Sequence, residues 1–181
     1  NYARKAANEL ENKIASGSGT GEPLGLVNTA SAIEVASTND TAGPPTVADY
    51  EALMFAVPKE FRQEAGSRFV YVGNDVSYKR ARGIQVGQSD QRRIFGGNGA
   101  NYVLNDLSYR VNHTIDDSVI MAACMNRYVL YRRSGFSVRR VTESADLAKK
   151  NLEMFVVRMR YGGQMNSGNA LAIMSDAQSG T

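Results

Sequence analysis

An alternating run, NLEMFVVRMRY at positions 151–161, restricts the folds open to this chain more than any other feature. One side of the run carries Leu152, Met154, Val156, Arg158 and Arg160, and the other carries Phe155, Val157, Met159 and Tyr161. A period of two residues is that of a β-strand. A strand of about 10 residues spans about 33 Å, which is long for a small globular domain. The run therefore predicts an extended sheet that projects from a compact body.

A second strand signal precedes this run, in FSVRRV at positions 136–141. We expect the strands around Val138–Val141 and Leu152–Tyr161 to pair antiparallel, joined through the intervening TESADLAKKN. An aspartate in place of Val157 would bring a charge onto the apolar side of this pair. We expect that change to unfold the sheet, at a cost of several kcal/mol.

The first residues predict a helix. Tyr2, Ala6, Leu10 and Ile14 recur every four residues and form one apolar face, and Gly17 ends the helix as a C-cap does. The chain begins inside this helical pattern, without an initiator methionine. We therefore expect a fragment or a processed chain.

The middle of the chain predicts two helices separated by a strand. The first helix ends or kinks at Pro58, and the second runs to about Arg82 after a strand at residues 68–72. The candidate N-caps are Thr46 or Asp49 for the first helix and Asn74 or Asp75 for the second.

Other stretches predict short or irregular elements. Residues 31–47 form a loop with one short strand, and the glycine-rich residues 87–103 are irregular. Residues 106–116 contain a short strand. Residues 118–135 contain one or two strands that end in a turn at Ser134–Gly135.

The stretch GSGTGEPLGLVN, at residues 17–28, raises the question of a phosphate-binding loop. Such a loop follows a strand and opens a helix, so that the helix N–H groups face the phosphate. This one follows a helix, has no lysine of the Walker type, and has Glu22 where the dinucleotide pattern needs its third glycine. The glycines therefore favour a flexible connector that turns the chain out of the helix.

Side chains suited to catalysis or metal binding are few. His113 is the only histidine and Cys124 the only cysteine, so neither a common zinc site nor an internal disulfide can form. Cys124 lies in an apolar run and is expected to be a buried thiol, which favours a reducing compartment. Asp116–Asp117, Glu143 and Asp146 sit in predicted turns, where carboxylates cap backbone amides. We predict that the protein is not an enzyme and that it binds no cofactor, no metal and no small-molecule substrate.

The charge of the chain gives only a weak indication of its binding partners. The 181 residues carry 21 basic and 18 acidic side chains, a net charge of +3, which is too small to indicate nucleic-acid binding by itself. No apolar run approaches the roughly 18 residues of a membrane span, so no membrane partner is expected. Arginine is enriched at interfaces, so three pairs are either subunit contacts or part of a solvated face: Arg92–Arg93, Arg132–Arg133 and Arg139–Arg140.

By the order and spacing of its motifs, the chain resembles the major capsid protein family of tailed bacteriophages, whose fold is shared with encapsulins. The matching motifs are a glycine-rich turn after the helix at Gly19–Leu26, an IFGG segment at Ile94–Gly97, and a final pattern of Arg160, Gly162, Gly163 and Ala170. The motifs are spread over nearly the whole chain. Two of the three lie in its C-terminal two-thirds, and we assign the resemblance to that part. Arg110 departs from the family pattern, which usually has proline there.

The resemblance implies an α+β fold, the phage major-capsid fold, with a compact axial domain and a peripheral domain of spine helix plus long antiparallel strands. Residues 1–24 would form the spine helix and turn of the peripheral domain, and residues 25–122 the axial domain. Residues 123–162 would form the long peripheral strands, and residues 163–181 the return to the axial domain and the tail.

The function that the resemblance implies is that of a coat protein. Copies would assemble through pentamers and hexamers into an icosahedral shell around double-stranded DNA. Scaffold, portal and packaged DNA are further candidate partners, and the location would be the virion capsid, with the host cytoplasm during assembly. The alternative is an encapsulin-type compartment around a cargo enzyme, which an extended groove for a cargo peptide would favour. The arm and loop that precede the spine helix in the family would be absent, so we expect no closed shells from this chain alone.

Some members of this family join a lysine of the extended loop to an asparagine of the peripheral strand, assisted by a glutamate further along it. Asn151 stands at the asparagine position, and Arg158 stands where the glutamate is needed. A guanidinium cannot accept a proton near neutral pH, so we expect no cross-link. Asn151, Arg158 and Arg160 join the three arginine pairs as candidate subunit-interface residues.

Overall fold

The structure is a computed structural model that describes residues 2–38, 45–64, 66–87, 90–93, 103–104, 107–141, 149 and 153–175. Its helices are α1 Tyr2–Ser16, α2 Val47–Ala56, α3 Lys59–Arg62 and α4 Asp75–Gly83. Its strands are β1 Ile33–Glu34, β2 Phe69–Gly73, β3 Gln85–Gly87, β4 Asp90–Arg93, β5 Val103–Leu104, β6 Leu107–Val111, β7 Ile120–Cys124, β8 Tyr128–Val141, β9 Met154–Met165 and β10 Leu171–Met174.

A six-stranded mixed sheet forms the core, in the order β1-β10-β7-β2-β6-β5. Strand β7 pairs antiparallel with both β10 and β2, whereas β2 pairs parallel with β6. Every residue of β2, β7 and β10 is buried, because these strands lie inside the sheet and are covered on both faces. Cys124 ends β7 as a free, buried thiol, as predicted.

Helix α2 begins where the sequence predicts, with Thr46 as its N-cap. The Thr46 hydroxyl accepts a hydrogen bond from the Asp49 amide, while the Asp49 carboxylate accepts one from the Thr46 amide, which forms a capping box. Val57 is the C-cap of α2 and Pro58 is the N-cap of α3, so the helix breaks at the predicted proline. The helix buries Tyr50 and Leu53.

Helix α4 follows β2 directly, with Asn74 as its N-cap. The strand and the helix were both predicted. Strand β2 also makes a polar contact with α2 within the core. The Tyr71 hydroxyl of β2 donates to the Tyr50 carbonyl of α2 at 2.8 Å, and the two rings meet edge to face at 5.5 Å. Arg110 does not interrupt β6, which pairs regularly with β2 and has Arg110 opposite Val72.

Strands β8 and β9 form a separate two-stranded antiparallel sheet, here called the ribbon. Its register runs from Tyr128 opposite Met165 to Val141 opposite Met154, and places Val138 opposite Val157. The predicted antiparallel pairing is therefore confirmed. Strand β9 extends further than predicted, through both glycines of the family motif to Met165.

The turn predicted at Ser134–Gly135 is wrong, because β8 continues through both residues. The register shifts between Arg132 and Ser134 and again between Ser134 and Ser137, so β8 absorbs extra residues as bulges. Glycine within a strand often marks such a bulge. The glycine at position 135 therefore marked an irregularity in the strand, but the irregularity is a bulge and not a turn.

The irregular structure predicted for residues 87–103 is also wrong in part. Strands β3 and β4 pair antiparallel, with Gln85 opposite Arg93 and Gly87 opposite Asp90. Polar strands of three and four residues lack the apolar alternation by which strands are recognised in a sequence. The IFGG segment that follows lies outside the described residues.

Candidate assembly surface

The glycine-rich stretch after α1 is a packed turn, not the flexible connector that we predicted. Helix α1 ends with the Gly17 amide donating to the Lys13 carbonyl at 2.9 Å. The chain then folds back, so that the Gly25 amide donates to the Gly17 carbonyl at 2.8 Å and the Leu26 amide to the Ile14 carbonyl at 2.9 Å. These bonds satisfy carbonyls at the helix end that would otherwise lack partners.

A charged pair closes the same turn. The Lys13 ammonium lies 2.8 Å from the Glu22 carboxylate, which also accepts a hydrogen bond from the Ser18 amide at 2.7 Å. The hydrogen bond from Lys13, followed by those from Ser18, lowers the pKa of Glu22 to about 2. The same hydrogen bond and charge raise the pKa of Lys13. Glu22, which breaks the dinucleotide pattern, thus has a structural role.

The turn docks on the base of the ribbon. The Leu24 amide donates to the Gly163 carbonyl at 2.7 Å, and the Tyr128 hydroxyl donates to the Leu24 carbonyl at 2.9 Å. A Cβ at Gly163 would lie 3.0 Å from the Tyr128 ring and hydroxyl, so a larger residue at position 163 would crowd the Tyr128 side chain. Burial raises the pKa of Tyr128 to about 12. These contacts join two of the motifs behind the family resemblance.

An open groove of about 630 Å³ lies between α1 and the ribbon. Leu10 and Lys13 of α1 form one wall, and Pro23 of the turn closes one part of it. The other wall includes four consecutive residues of β9, 159–162. Arg133 also lines it, together with the carboxylates Glu9 and Glu22, so the groove has apolar, cationic and anionic walls.

The ribbon gathers six of the predicted interface residues: Arg132, Arg133, Arg139 and Arg140 on β8, and Arg158 and Arg160 on β9, all exposed. Residues directly opposite in an antiparallel pair share a face. Arg140 therefore shares a face with Phe155, and Arg139 shares the other face with Val156. The structure does not bring Arg92 and Arg93 to the ribbon; they lie on β4, and their side chains are outside the described part. Asn151 also lies outside the described residues.

Sequence reasoning missed two features of this surface. The Arg140 guanidinium forms an ion pair with the Glu153 carboxylate, just before β9 begins. Large apolar side chains lie exposed beside the arginines, among them Tyr131, Val138 and Phe155. The sequence did contain a signal for the second feature. Apolar residues occur at both alternating sets of positions in residues 151–161, and a two-stranded sheet with nothing packed on its faces leaves such residues exposed.

The described residues show little that resembles an enzyme site. His113 is exposed, and the Asp116 carboxylate accepts hydrogen bonds from the Ser118 amide and hydroxyl, as expected of a turn residue. Within the described ranges, no three potential metal ligands lie together. No helix in that part of the chain is long and apolar enough to span a bilayer.

Comparison with protein families decides the relationship. The model described as the phage capsid family matches residues 1–176. The chain belongs to the phage capsid family. The match begins at the first residue, which corrects our assignment of the resemblance to the C-terminal two-thirds. The glycine-rich turn and the base of the ribbon both lie within the matched residues.

Solved capsid and encapsulin structures share this fold. The capsid of an empty GTA particle, computed with C5 symmetry, has a TM-score of 0.73 at 20% identity over 96% of this chain and 63% of that chain. The SrpI encapsulin complex of Synechococcus elongatus PCC 7942 has a TM-score of 0.68 at 16% identity, over 99% and 64%. The structure of Gordonia phage Cozz has a TM-score of 0.63 at 12% identity, over 93% of this chain and 59% of that chain. The search of curated proteins finds no match.

Two conclusions follow from these comparisons. The predicted α+β phage capsid fold is confirmed, and the function of the family is structural. The chain spans less than two-thirds of the length of the three capsid and encapsulin chains just compared. Identities of 20% or less show the common fold and not the partners of this particular protein.

The loss of unfolding free energy caused by Val157→Asp tests which face of the ribbon carries Val157. Val157 is half-buried opposite the exposed Val138, so the site is less enclosed than the sequence predicted. We now expect the variant to lose about 2 kcal/mol of unfolding free energy, from partial burial of a charge and loss of a β-branched residue. Arg158→Asp is the matched control on the opposite, exposed face, with an expected loss under about 1 kcal/mol. Equal losses in urea titrations would show that the faces are misassigned.

Proposed function

We propose that this chain is the shell-forming part of a major capsid protein of a tailed phage or prophage. The observation that carries the proposal is the family match over residues 1–176. The architecture supports it, since a buried mixed sheet stands beside a ribbon whose arginines and apolar side chains are exposed on both faces. Such a surface suits contact with neighbouring subunits better than solvation in a monomer.

The proposal divides the chain between two parts of the subunit. Residues 25–122 and 163–181 would form the axial part around the six-stranded sheet, and residues 1–24 and 123–162 the peripheral part with α1 and the ribbon. Copies would form pentamers and hexamers that close an icosahedral shell. Double-stranded DNA, a scaffold and a portal would be partners of the complete protein, in the host cytoplasm during assembly and in the virion afterwards.

Electron microscopy of the full-length protein, expressed alone and with its neighbouring genes, tests this proposal. We expect uniform icosahedral particles, which contain DNA only when the packaging machinery is present. A protein that remains monomeric at high concentration under both conditions would contradict the proposal.

An encapsulin-type compartment is the second candidate function, and the groove beside α1 is the observation in its favour. An extended peptide would find apolar contacts at Leu10 and Met159 and a cation at Arg133. The fold of the SrpI encapsulin complex is similar. Particles purified from the native host distinguish the candidates: a co-purified enzyme that is lost with Leu10→Asp supports the compartment, and packaged DNA supports the phage capsid.

We predict that assembled shells are not covalently cross-linked through Asn151. Arg158 lies exposed on β9 opposite Ser137, and β9 has no carboxylate that could take the proton from an attacking lysine. Boiling assembled full-length particles in detergent should therefore give a single monomer band on a denaturing gel. A ladder of covalent oligomers that disappears with Asn151→Asp, but persists with the neighbouring Lys150→Gln, would overturn this prediction.

A further inference from the structure

A second groove, here called the sheet groove, has a volume of about 530 Å³ and lies on the six-stranded sheet where β2 begins. Besides apolar residues, two arginines and two serines line it: Arg68, Arg110, Ser67 and Ser108. No carboxylate of the described residues lines the sheet groove, whereas Glu9 and Glu22 line the groove beside α1. The charged groups that border the sheet groove in the described part of the chain are therefore all cationic.

The two arginines of the sheet groove are not neutralised by their own subunit. Both side chains are exposed, and no carboxylate in the described ranges forms an ion pair with either of them. Arg110 also departs from the family pattern, and the proposed function gives it no role. Two cations that border one groove repel each other unless an anion lies between them, so the groove favours an anionic ligand.

The sheet holds the residues of this groove in fixed positions. Ser108 and Arg110 are alternate residues of β6, so their side chains lie on the same face of the sheet. The Arg68 carbonyl accepts a hydrogen bond from the Met125 amide at 3.0 Å, which ties the residue before β2 to the residue after β7. Binding residues on the strands of a sheet are placed more precisely than residues on loops.

One serine hydroxyl adds a further donor to the groove. The Ser67 hydroxyl already donates to the Phe61 carbonyl at 3.0 Å. Ser108 is exposed, and its hydroxyl forms no hydrogen bond with any described residue. Because Ser108 stands opposite Val70, it lies between the two arginines along the strand direction. Arginine and serine side chains are both common donors to phosphate oxygens.

The spacing of the two arginines indicates the size of the ligand. Arg110 stands opposite Val72, which is four residues beyond Arg68. Their Cα atoms are therefore about 13 Å apart along the strand direction, at about 3.3 Å for each residue. A single phosphate group is smaller than this span, whereas several linked phosphate groups extend along it.

We propose that the sheet groove binds linked phosphate groups, with Arg68 and Arg110 on separate phosphates and the Ser108 hydroxyl on an oxygen between them. The backbone of a nucleic acid and a free polyphosphate both supply this chemistry. The inference goes beyond the proposed function, which names DNA as a partner of the complete protein but assigns no residue to its binding.

An acidic polypeptide is the other kind of anion that arginines bind. A polypeptide partner is anchored by apolar side chains that become covered in the complex. None of the large hydrophobic residues that stand exposed in the described part of the chain lines the sheet groove. Phosphate contacts do not require such cover, so linked phosphates fit the groove better, and an acidic polypeptide becomes an outcome of the test.

The test measures the binding of inorganic phosphate, tripolyphosphate and a short single-stranded DNA to the full-length protein before assembly. The groove variant Arg68→Gln/Arg110→Gln is compared with Arg4→Gln/Arg82→Gln, which removes the same charge at exposed arginines of α1 and α4. We expect the groove variant to raise the dissociation constant for the linked phosphates at least tenfold, and the control to raise it less than twofold. Circular dichroism checks that both variants fold.

Salt dependence and a conservative variant test the nature of the contact. For DNA, the slope of log K against log salt concentration should decrease by about 1.4 in the groove variant, because two contacts to single-stranded phosphates are lost. Arg68→Lys/Arg110→Lys should retain part of the affinity, since the charges remain but the paired hydrogen bonds of guanidinium do not. An unchanged slope in the groove variant would contradict direct contact with phosphates.

The three probes distinguish the sources of phosphate. Binding of the DNA that depends on the groove arginines supports a nucleic-acid backbone, and such binding of tripolyphosphate without the DNA supports a free polyphosphate. Inorganic phosphate bound as tightly as tripolyphosphate would contradict the linked-phosphate site. The absence of binding by any probe, or equal losses in the groove and control variants, would overturn the inference.

Two further measurements locate the anion if the groove is not its site. Polyglutamate that binds as tightly as the DNA, with the same loss in the groove variant, would identify an acidic polypeptide as the ligand and overturn the inference. A loss of DNA binding with Arg139→Gln/Arg158→Gln, but not with the groove variant, would place the polyanion on the ribbon. Because binding is measured before assembly, failure of this inference leaves the test of the capsid function by electron microscopy unaffected.

Discussion

Gly25→Ala is expected to destabilise the protein by about 3 kcal/mol, because the turn after α1 has no space for a methyl group. An added Cβ would meet the backbone nitrogen of Gly17 and would lie 2.7 Å from the carbonyl carbon of Ser16. These are backbone atoms at the end of a helix, and the Gly25 amide itself is bound to the Gly17 carbonyl at 2.8 Å. Relief of the clash would require the chain to leave the helix end, with loss of that hydrogen bond.

Gly21→Ala is the matched control within the same turn. Gly21 has a φ of +72°, but no atom of the described residues, apart from its two chain neighbours, lies within 4 Å of a Cβ added there. It should therefore lose only about 1 kcal/mol, the cost of a left-handed conformation for alanine. Urea unfolding at equal m-values measures both losses. A Gly25→Ala variant as stable as Gly21→Ala would show that the turn is not packed against the helix end.

Local signals predicted the elements whose determinants lie within a few residues. Thr46 and Asp49 were the alternative caps of α2, and the structure uses both residues in one capping box. The alternation in residues 151–161 predicted the strand, and a second strand signal at residues 136–141 predicted its partner. Such features need no knowledge of distant parts of the chain.

Features that depend on distant contacts were predicted less well. Ser134–Gly135 has the composition of a turn, yet β8 continues there because β9 runs alongside it and the extra residues form bulges. Likewise, the glycines of the 17–28 stretch indicated flexibility. The turn is packed because Leu24 binds Gly163 and Tyr128, which no pattern near residue 24 could show.

The sequence named arginines as interface candidates but did not predict how they are arranged on the surface. Arginine pairs are visible in the sequence, and the alternation predicted which residues share a face. The concentration of six arginines on the ribbon became apparent only when the ends of β8 and β9 were known. Arg92 and Arg93 had the same local appearance as the ribbon pairs, and only tertiary structure places them on another element.

A buried carboxylate provides the second large effect, at the start of α2. Asp49 accepts hydrogen bonds from the Thr38 amide at 2.8 Å and hydroxyl at 2.7 Å, and from the Thr46 amide at 2.6 Å and hydroxyl at 2.9 Å. It thus joins the chain before and after residues 39–44. Asp49→Ala should cost about 3 kcal/mol, because a helix cap is lost and four donors, two of them backbone amides, lose a charged acceptor. Glu51→Ala, an exposed change on the same helix, should cost under about 0.5 kcal/mol.

The effect of Asp49 should also depend on pH with a defined sign. Burial acts to raise the pKa of Asp49, but the hydrogen bonds from Thr38 and Thr46 outweigh it and lower the pKa below its usual value. A lowered folded-state pKa means that the stabilisation is complete above the unfolded-state pKa of about 4 and is lost as the pH falls through the folded-state value. The stability difference between wild type and Asp49→Ala should therefore be constant from pH 7 to about pH 5 and shrink at lower pH. Urea titrations across this range measure it, and a difference that stays constant down to about pH 2 would show that the carboxylate is not held in its charged form by these four donors.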